Sequence, residues 1–375
     1  MDWSLLPEDL LHLVAGRIVI HADYIRFRAV CTSWRFAVSP RPRHLPPQLP
    51  FLIFPENSDT VQNLYSITEN KIYNLKFPDH HHFLGSSHGW LILQGPSTAL
   101  SLMNPFTRSK VHLPPATAIP NLFDTVSPAD IQRYSDSFEH RKQSTSAGFW
   151  SYFIRKAKLC RDESSVGQFV SIVFPKAGLA LWRPGCESWI HAGRYWTFAD
   201  AEFYKGQLFA ITCGGILSTI DFSSPIKERV LVSSPPFAYH DNTVYLVDSG
   251  EELMLVVRKY INGDLCHRRT HQFEVFKLEL DVRESRWSRM ESLGDKILFV
   301  ERGSSISLPA AGLEGCKGNC IYFSDDYDAY LKDHVKTPDV GVFRMEDGNV
   351  QQLECYTPGT KSWWPFPTWV VPYLW

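Results

Sequence analysis

Three groups of side chains in this 375-residue chain have types and spacings that could do chemistry. The run His80-His81-His82 offers three imidazoles. Successive residues of an extended chain point in different directions, however, and Asp79 is the one adjacent carboxylate, with no thiol grouped beside it, so a polar loop is expected. Asp325, Asp326 and Asp328 could chelate a hard cation, but they lack the twelve-residue loop with its glycine and terminal glutamate and read as a surface turn. Cys316 and Cys320 are close enough for half of a zinc site, yet tetrahedral structural zinc needs four ligands and no second Cys/His pair follows at a matching interval. The chain carries no Gly-Lys-Ser/Thr phosphate loop and no His-Glu-x-x-His helix. No catalytic residue, metal or cofactor is therefore assigned from the sequence.

Composition narrows the classes further. Hydrophobic residues make up 44% and aromatics 14%, and the formal net charge is -2, as in an ordinary folded protein. A nearly neutral chain lacks the electrostatic footprint of a nucleic-acid binder, and its densest basic run, Arg155, Lys156, Lys158 and Arg161, reads as a solvated loop. Met1-Asp2-Trp3 has no basic flank, and no stretch approaches the roughly 20 apolar residues that span a bilayer. The expectation is a protein without secretory signal or membrane span, cytoplasmic and/or nuclear, whose eight cysteines stay reduced.

Two unlike pieces must position these residues. Residues 3–38 are helical in character. Pro7 suits a first helical turn, and Glu8 and Asp9 complement the positive end of the helix dipole. Leu10, Leu11, Val14 and Ile18 then recur at helical spacing, and Phe27, Val30, Trp34 and Ala37 form a second seam. Thr32 and Ser33 interrupt that seam as candidate caps, which predicts two short helices there. So short a piece buries too little surface to hide all these apolar side chains. From periodicity alone, a protein partner and the rest of the chain are equally good covers. Residues 39–50 are proline-dense and predict a semi-rigid linker.

The run Leu5-Leu-Pro-Glu-Asp-Leu-Leu11, then Arg17-Ile18, then Ile25-Arg-Phe-Arg-Ala-Val-Cys-Thr-Ser-Trp-Arg35 resembles the F-box motif in order, spacing and residue types. The resemblance covers about the first 40 residues. It implies a three-helix module that docks to the Skp-family adaptor, and through it to the cullin, of a Skp–cullin–F-box ubiquitin ligase. Carried over residue by residue, docking falls on Leu6, Pro7, Leu10, Leu11, Ile18, Phe27, Val30, Cys31 and Trp34, some of which must instead hold the module together.

From residue 51 to 375 the pattern changes to short strands separated by Gly, Pro, Asp and Asn. Thr243-Val-Tyr-Leu-Val247, a turn at residues 248–251, and Leu253-Met-Leu-Val-Val257 predict a hairpin. Glycine precedes an apolar strand at Gly89, Gly206 and Gly318, and a polar turn runs into tryptophan at Trp189, Trp287 and Trp363. At about 40 to 50 residues per four-stranded blade, the roughly 325 residues give a β-propeller of six or seven blades. Ser87-His-Gly-Trp-Leu-Ile-Leu93, Leu102-Met-Asn-Pro-Phe-Thr-Arg108, Leu113-Pro-Pro115 and, near the end, Phe273-Glu-Val-Phe-Lys-Leu278 and Pro367-Thr-Trp-Val-Val-Pro372 resemble the KIB-type β-propeller of plant F-box proteins. Residues 121–165 match it least and are expected to hold an insertion.

The combined expectation is a mainly β chain, with an all-α F-box module ahead of a propeller that captures an unidentified protein substrate without catalysing anything itself. Two alternatives remain open at this level: a propeller scaffold whose F-box lies outside a working ligase, and a propeller enzyme with its residues scattered over loops.

Overall fold

The computed structural model describes residues 2–39, 42, 44–45, 48–55, 61–76, 82–95, 99–119, 154, 156–162, 167–174, 178–192, 198–221, 226–237, 242–261, 269–281, 283–313, 316–325, 339–355 and 367–372. Among these, three helices come first: α1 (Glu8–Ala15), α2 (His21–Ala29) and α3 (Thr32–Ala37). Twenty-five strands follow, gathered into six sheets.

Blade 1 begins with β1 (Phe51–Pro55), β2 (Val61–Ser66) and β3 (Lys71–Lys76), and blade 2 holds β4 (His82–Ser87), β5 (Trp90–Gln94), β6 (Leu100–Met103) and β7 (Lys110–Leu113). Blade 3 is β8 (Lys156–Asp162), β9 (Gly167–Phe174), β10 (Gly178–Trp182) and β11 (Ile190–Ala192). Blade 4 is β12 (Phe198–Tyr204), β13 (Gln207–Thr212), β14 (Leu217–Asp221) and β15 (Lys227–Val232). Blade 5 is β16 (Thr243–Asp248), β17 (Leu253–Ile261), β18 (Arg269–Glu279) and β19 (Arg286–Met290). The sixth sheet contains β20 (Lys296–Glu301), β21 (Ser304–Pro309), β22 (Cys320–Phe323), β23 (Gly341–Arg344) and β24 (Val350–Gln352). Last in sequence, β25 (Thr368–Val370) pairs antiparallel with β1, Leu52 opposite Trp369, and so completes blade 1.

The architecture is a mainly β propeller, but the expectation of six or seven four-stranded blades needs correction. Five sheets have four antiparallel strands, whereas the sixth has five, in the order β21-β20-β22-β23-β24, with β20 and β22 parallel. A repeat of turns and strands in sequence does not show that a hairpin has folded inward and that the next strand joins the outer side of its first arm.

Burial grades outward in blades 1, 4 and 5. The inner strands β12, β16 and β25 are buried along almost their whole length, and the outer strands β3 and β15 are largely exposed. Two of the three glycine repeats have one cause. His88-Gly89 and Lys205-Gly206 are two-residue hairpin loops with positive φ at both positions, the geometry that glycine favours at the second residue. Gly318 differs, because a Cβ there would lie 2.8 Å from Asp295 Cα. The Trp189 and Trp287 elements each lead into the fourth strand of a blade, and both rings join cores shared by neighbouring blades. The third such element, at Trp363, lies outside the described residues.

Polar groups cross the axis. Lys156 Nζ lies 2.6 Å from Asp200 Oδ2 and 3.1 Å from Ser305 Oγ, joining blades 3, 4 and the sixth sheet, and Lys158 pairs with Glu202 one step along the same strands. All four ionic side chains are buried, so these lysines belong to an inner strand and not to the solvated loop expected of them. Burial pulls the Lys156 ammonium down to about 8 against the pull of Asp200, and pushes the Glu202 carboxyl up against that of Lys158. Nearby, Gly303 lies against Gly85 so closely that a Cβ on Gly303 would meet Gly85 Cα at 2.6 Å and Leu84 O at 2.7 Å.

Between blade 5 and the sixth sheet, Arg258 forms a buried node. Its guanidinium donates to Thr270 Oγ1 (2.7 Å), Ser324 O (2.8 Å) and Asp339 Oδ2 (3.1 Å) and lies over the Phe323 ring. Burial alone would raise the Asp339 carboxyl, but Arg258 and the Thr270 donors outweigh it and hold the group below its ordinary 3.8. A depressed carboxyl contributes stability that is complete above the unfolded value and is lost as pH falls through the folded one.

Two outcomes follow from this core. Gly85→Ala or Gly303→Ala forces backbones apart and should lower Tm by at least about 3 °C, corresponding to an overpacking cost of roughly 1–3 kcal/mol or more. Unchanged melting would contradict the close approach. Asp339→Asn should be destabilised at pH 7 yet lose less further stability than wild type between pH 4 and 2.5 in urea titrations; equal losses would remove the carboxylate from the account.

Candidate functional site

The helical module is the candidate site. A 3-10 turn at Trp3–Leu5 is capped by Asp2, whose carboxylate accepts the Ser4 N–H at 3.0 Å. α1 then starts after Pro7 with Glu8 and Asp9 in its first turn, as the sequence predicts. α2 and α3 are separate, but Cys31 occupies the N-cap of α3 and makes no side-chain cap, so Thr32 and Ser33 do not serve as caps.

Leu11, Ala15, Tyr24, Phe27 and Val38 form the module's core, with Leu6, Ile18, Ile25, Trp34, Ala37 and Leu45 packed around it. Phe27 and Trp34 are 4.5 Å apart between ring centroids, and the Trp34 indole N–H donates to Trp3 O at 2.9 Å, tying the 3-10 turn to α3. The nine carried-over positions therefore divide. Leu11 and Phe27 are buried at 1% and 8% exposure and hold the module together. Leu6, Ile18, Cys31 and Trp34 are half-buried, while Pro7, Leu10 and Val30 are exposed. The apparent single stripe of Leu10, Leu11, Val14 and Ile18 is two: Leu11 and Ile18 face the core, whereas Leu10 and Val14 face outward.

Sequence reasoning missed the rest of the outward set. Trp3, Leu5, Leu13, Val19, Ile20 and Phe36 are all exposed, Phe36 at 85%. Nine of the sixteen exposed large hydrophobic residues among the described ones fall between Trp3 and Phe36, so the module carries most of the uncovered apolar surface on a small fraction of the chain. The signal was available in α1. Leu10, Leu13 and Val14 stand at i, i+3 and i+4 on the side away from Leu11 and Ala15, which makes the helix apolar on two faces.

The metal-type candidates do not assemble. Among the described residues no group of three or more His, Cys, Asp or Glu could hold a metal ion. His80, His81, Asp326 and Asp328 lie outside those residues, as does the His82 side chain. Asp325 accepts the Asp339 N–H at 3.3 Å, a structural bond. Burial pushes both the Cys316 and Cys320 thiols up, Cys320 to about 12. Among the described residues no helix is long and apolar enough to cross a membrane.

A small helical module with an uncovered apolar face, ahead of a propeller, is the arrangement of an F-box protein, and similarity to known proteins agrees. The KIB1-4 beta-propeller pattern matches residues 64–344. The chain is 26% identical to F-box protein SKIP23 of Arabidopsis thaliana, covering 99% of this chain and 96% of that protein. It is 24% identical to F-box protein At2g17036 of the same organism, covering 99% and 95%. The chain thus belongs to the KIB1-4 β-propeller family, in the form found in plant F-box proteins.

The two faces of α1 make separable demands. Leu11→Ala should destabilise the module by about 2–5 kcal/mol, seen as lost amide protection across α1–α3 in hydrogen exchange, whereas Leu13→Ala should change it by less than about 0.5 kcal/mol. Equal effects would mean that α1 does not have the core-facing and outward sides described.

Proposed function

We propose that this chain is the substrate-recognition subunit of a Skp–cullin–F-box ubiquitin ligase, acting in the cytosol or nucleus. The observation that carries the reading is the outward apolar face of the module, centred on Leu10, Leu13 and Val14. Each such side chain contributes on the order of 1.5–3 kcal/mol when a partner buries it, so three or four make a strong docking surface. A Skp-family adaptor is the partner that the F-box likeness supplies, and the cullin follows through it.

Docking is assigned here to the exposed residues Pro7, Leu10 and Val30, extended by Leu5, Leu13, Val14 and Phe36, with Leu6, Ile18, Cys31 and Trp34 at its margin. Leu11 and Phe27 support it from beneath. The propeller is the target-binding element. No bond chemistry is assigned to it: the subunit accelerates ubiquitin transfer by holding a protein near the charged conjugating enzyme, a proximity effect.

Co-purification of the full chain with a Skp-family adaptor tests this reading. The wild type should be retained, and Leu10→Asp/Leu13→Asp should bind at least tenfold more weakly with unchanged propeller melting. Leu280→Asp, at an exposed apolar residue of blade 5, should bind like wild type. A folded wild type that fails to bind overturns the ligase reading, and full binding by the double variant overturns the assigned face.

A further inference from the structure

The proline-dense segment between module and propeller was expected to be a spacer, but its described residues are attached to the module as far as Gln48 and to the propeller from Leu49 on. Val38 is buried in the module core, and the Tyr24 hydroxyl donates to Ser39 O at 2.8 Å. His44 Nε2 lies 2.9 Å from Ala15 O, the last carbonyl of α1, while its ring stands edge-on to Tyr24 with centroids 5.8 Å apart. Leu45 packs against the module core. The Gln48 amide donates to Val19 O at 3.3 Å, in the connection between α1 and α2. The very next residue, Leu49, is buried with Leu52, Phe54 and Trp369 in a core of the propeller.

Gln48 thus belongs to one body and Leu49 to the other, with a single peptide bond between the two attachments. A flexible linker of about twelve residues would let its ends wander over roughly 20 Å. Here His44 adds a second contact to Ala15 O, which also accepts the Ile18 N–H at 3.2 Å, Leu45 adds apolar burial, and β1 starts only two residues beyond Leu49.

We propose that the described residues between Val38 and Pro50 form a strap that fixes the helical module in one orientation on the ring, and that His44, Leu45 and Gln48 are positioning residues for ubiquitin transfer. The transfer half of this inference rests on the ligase reading above; the strap itself does not. If the adaptor is held by the module and the target by the ring, a fixed angle between them decides which target lysines come within reach. A loose joint would spread the target over a large volume and lower the effective concentration at any one lysine.

The test is an insertion of eight Gly/Ser residues between Gln48 and Leu49 in the full chain, which leaves every contact of the strap in place but separates the two attachments. Spin labels carried on unnatural residues at Glu8 and Lys227 report the distance between module and ring without touching the native cysteines. The wild type should give one narrow distribution, and the insertion should at least double its width. A wild type already as broad as the insertion variant overturns the strap. In a ligase reconstituted with adaptor and cullin, the insertion should leave adaptor affinity within twofold while self-ubiquitination of propeller lysines slows at least threefold or moves to other lysines. An unchanged rate and lysine pattern overturns the positioning role. Failure of the wild type to bind any adaptor sinks the ligase reading alone, because the label distances still decide whether the strap holds.

Discussion

At the axis of the ring the backbone of Gly303 lies against that of Gly85, with no space for even a methyl group between them. The rest of the propeller is arranged around that approach. It lets β21 lean across to blades 2 and 3, which in turn brings Ser305 to within 3.1 Å of Lys156 and helps complete the shell of a buried ammonium. Ions so placed are tolerable only with close partners, since an uncompensated buried charge costs several kcal/mol. Moving the two backbones apart would therefore loosen ionic contacts as well as apolar ones.

The module obeys a different constraint. It has enough apolar side chains for two faces and enough volume to bury only one. Its core uses Leu11, Tyr24 and Phe27, and the second face stays in water. A chain gains nothing in its own folding from exposed Leu10, Leu13 and Phe36, which is why their exposure says more about the molecule's work than the buried residues do.

Legibility in the sequence followed the range of the interactions. The β16–β17 hairpin, the start of α1 and the tight turns at Gly89 and Gly206 are local, and each was readable from a few adjacent residues. Lys156 and Lys158 were misread as a solvated basic run because their partners, Asp200 and Glu202, are 44 residues further along the chain. The sixth sheet was hidden for the same reason: its parallel pair joins strands that are not consecutive. In the site, helical spacing identified the apolar positions correctly but not their direction. A stripe containing i, i+1 and i+4 fits either face until a neighbouring helix selects one. The strap escaped notice because proline density reports the stiffness of a segment and not what its other residues touch.

Closure of the ring by β25 has a consequence in time. The partner of β1 is roughly 300 residues away and is the last strand to be made. At about 5–20 residues per second, the ribosome needs roughly 15 to 60 s to deliver it. During that interval α1–α3 and the contacts of His44, Leu45 and Gln48 with them can already form, while blade 1 presents an open edge, a template for unwanted pairing. A nascent chain therefore exposes its apolar helical module before it owns a finished propeller, and removing β25 would leave it permanently in that state.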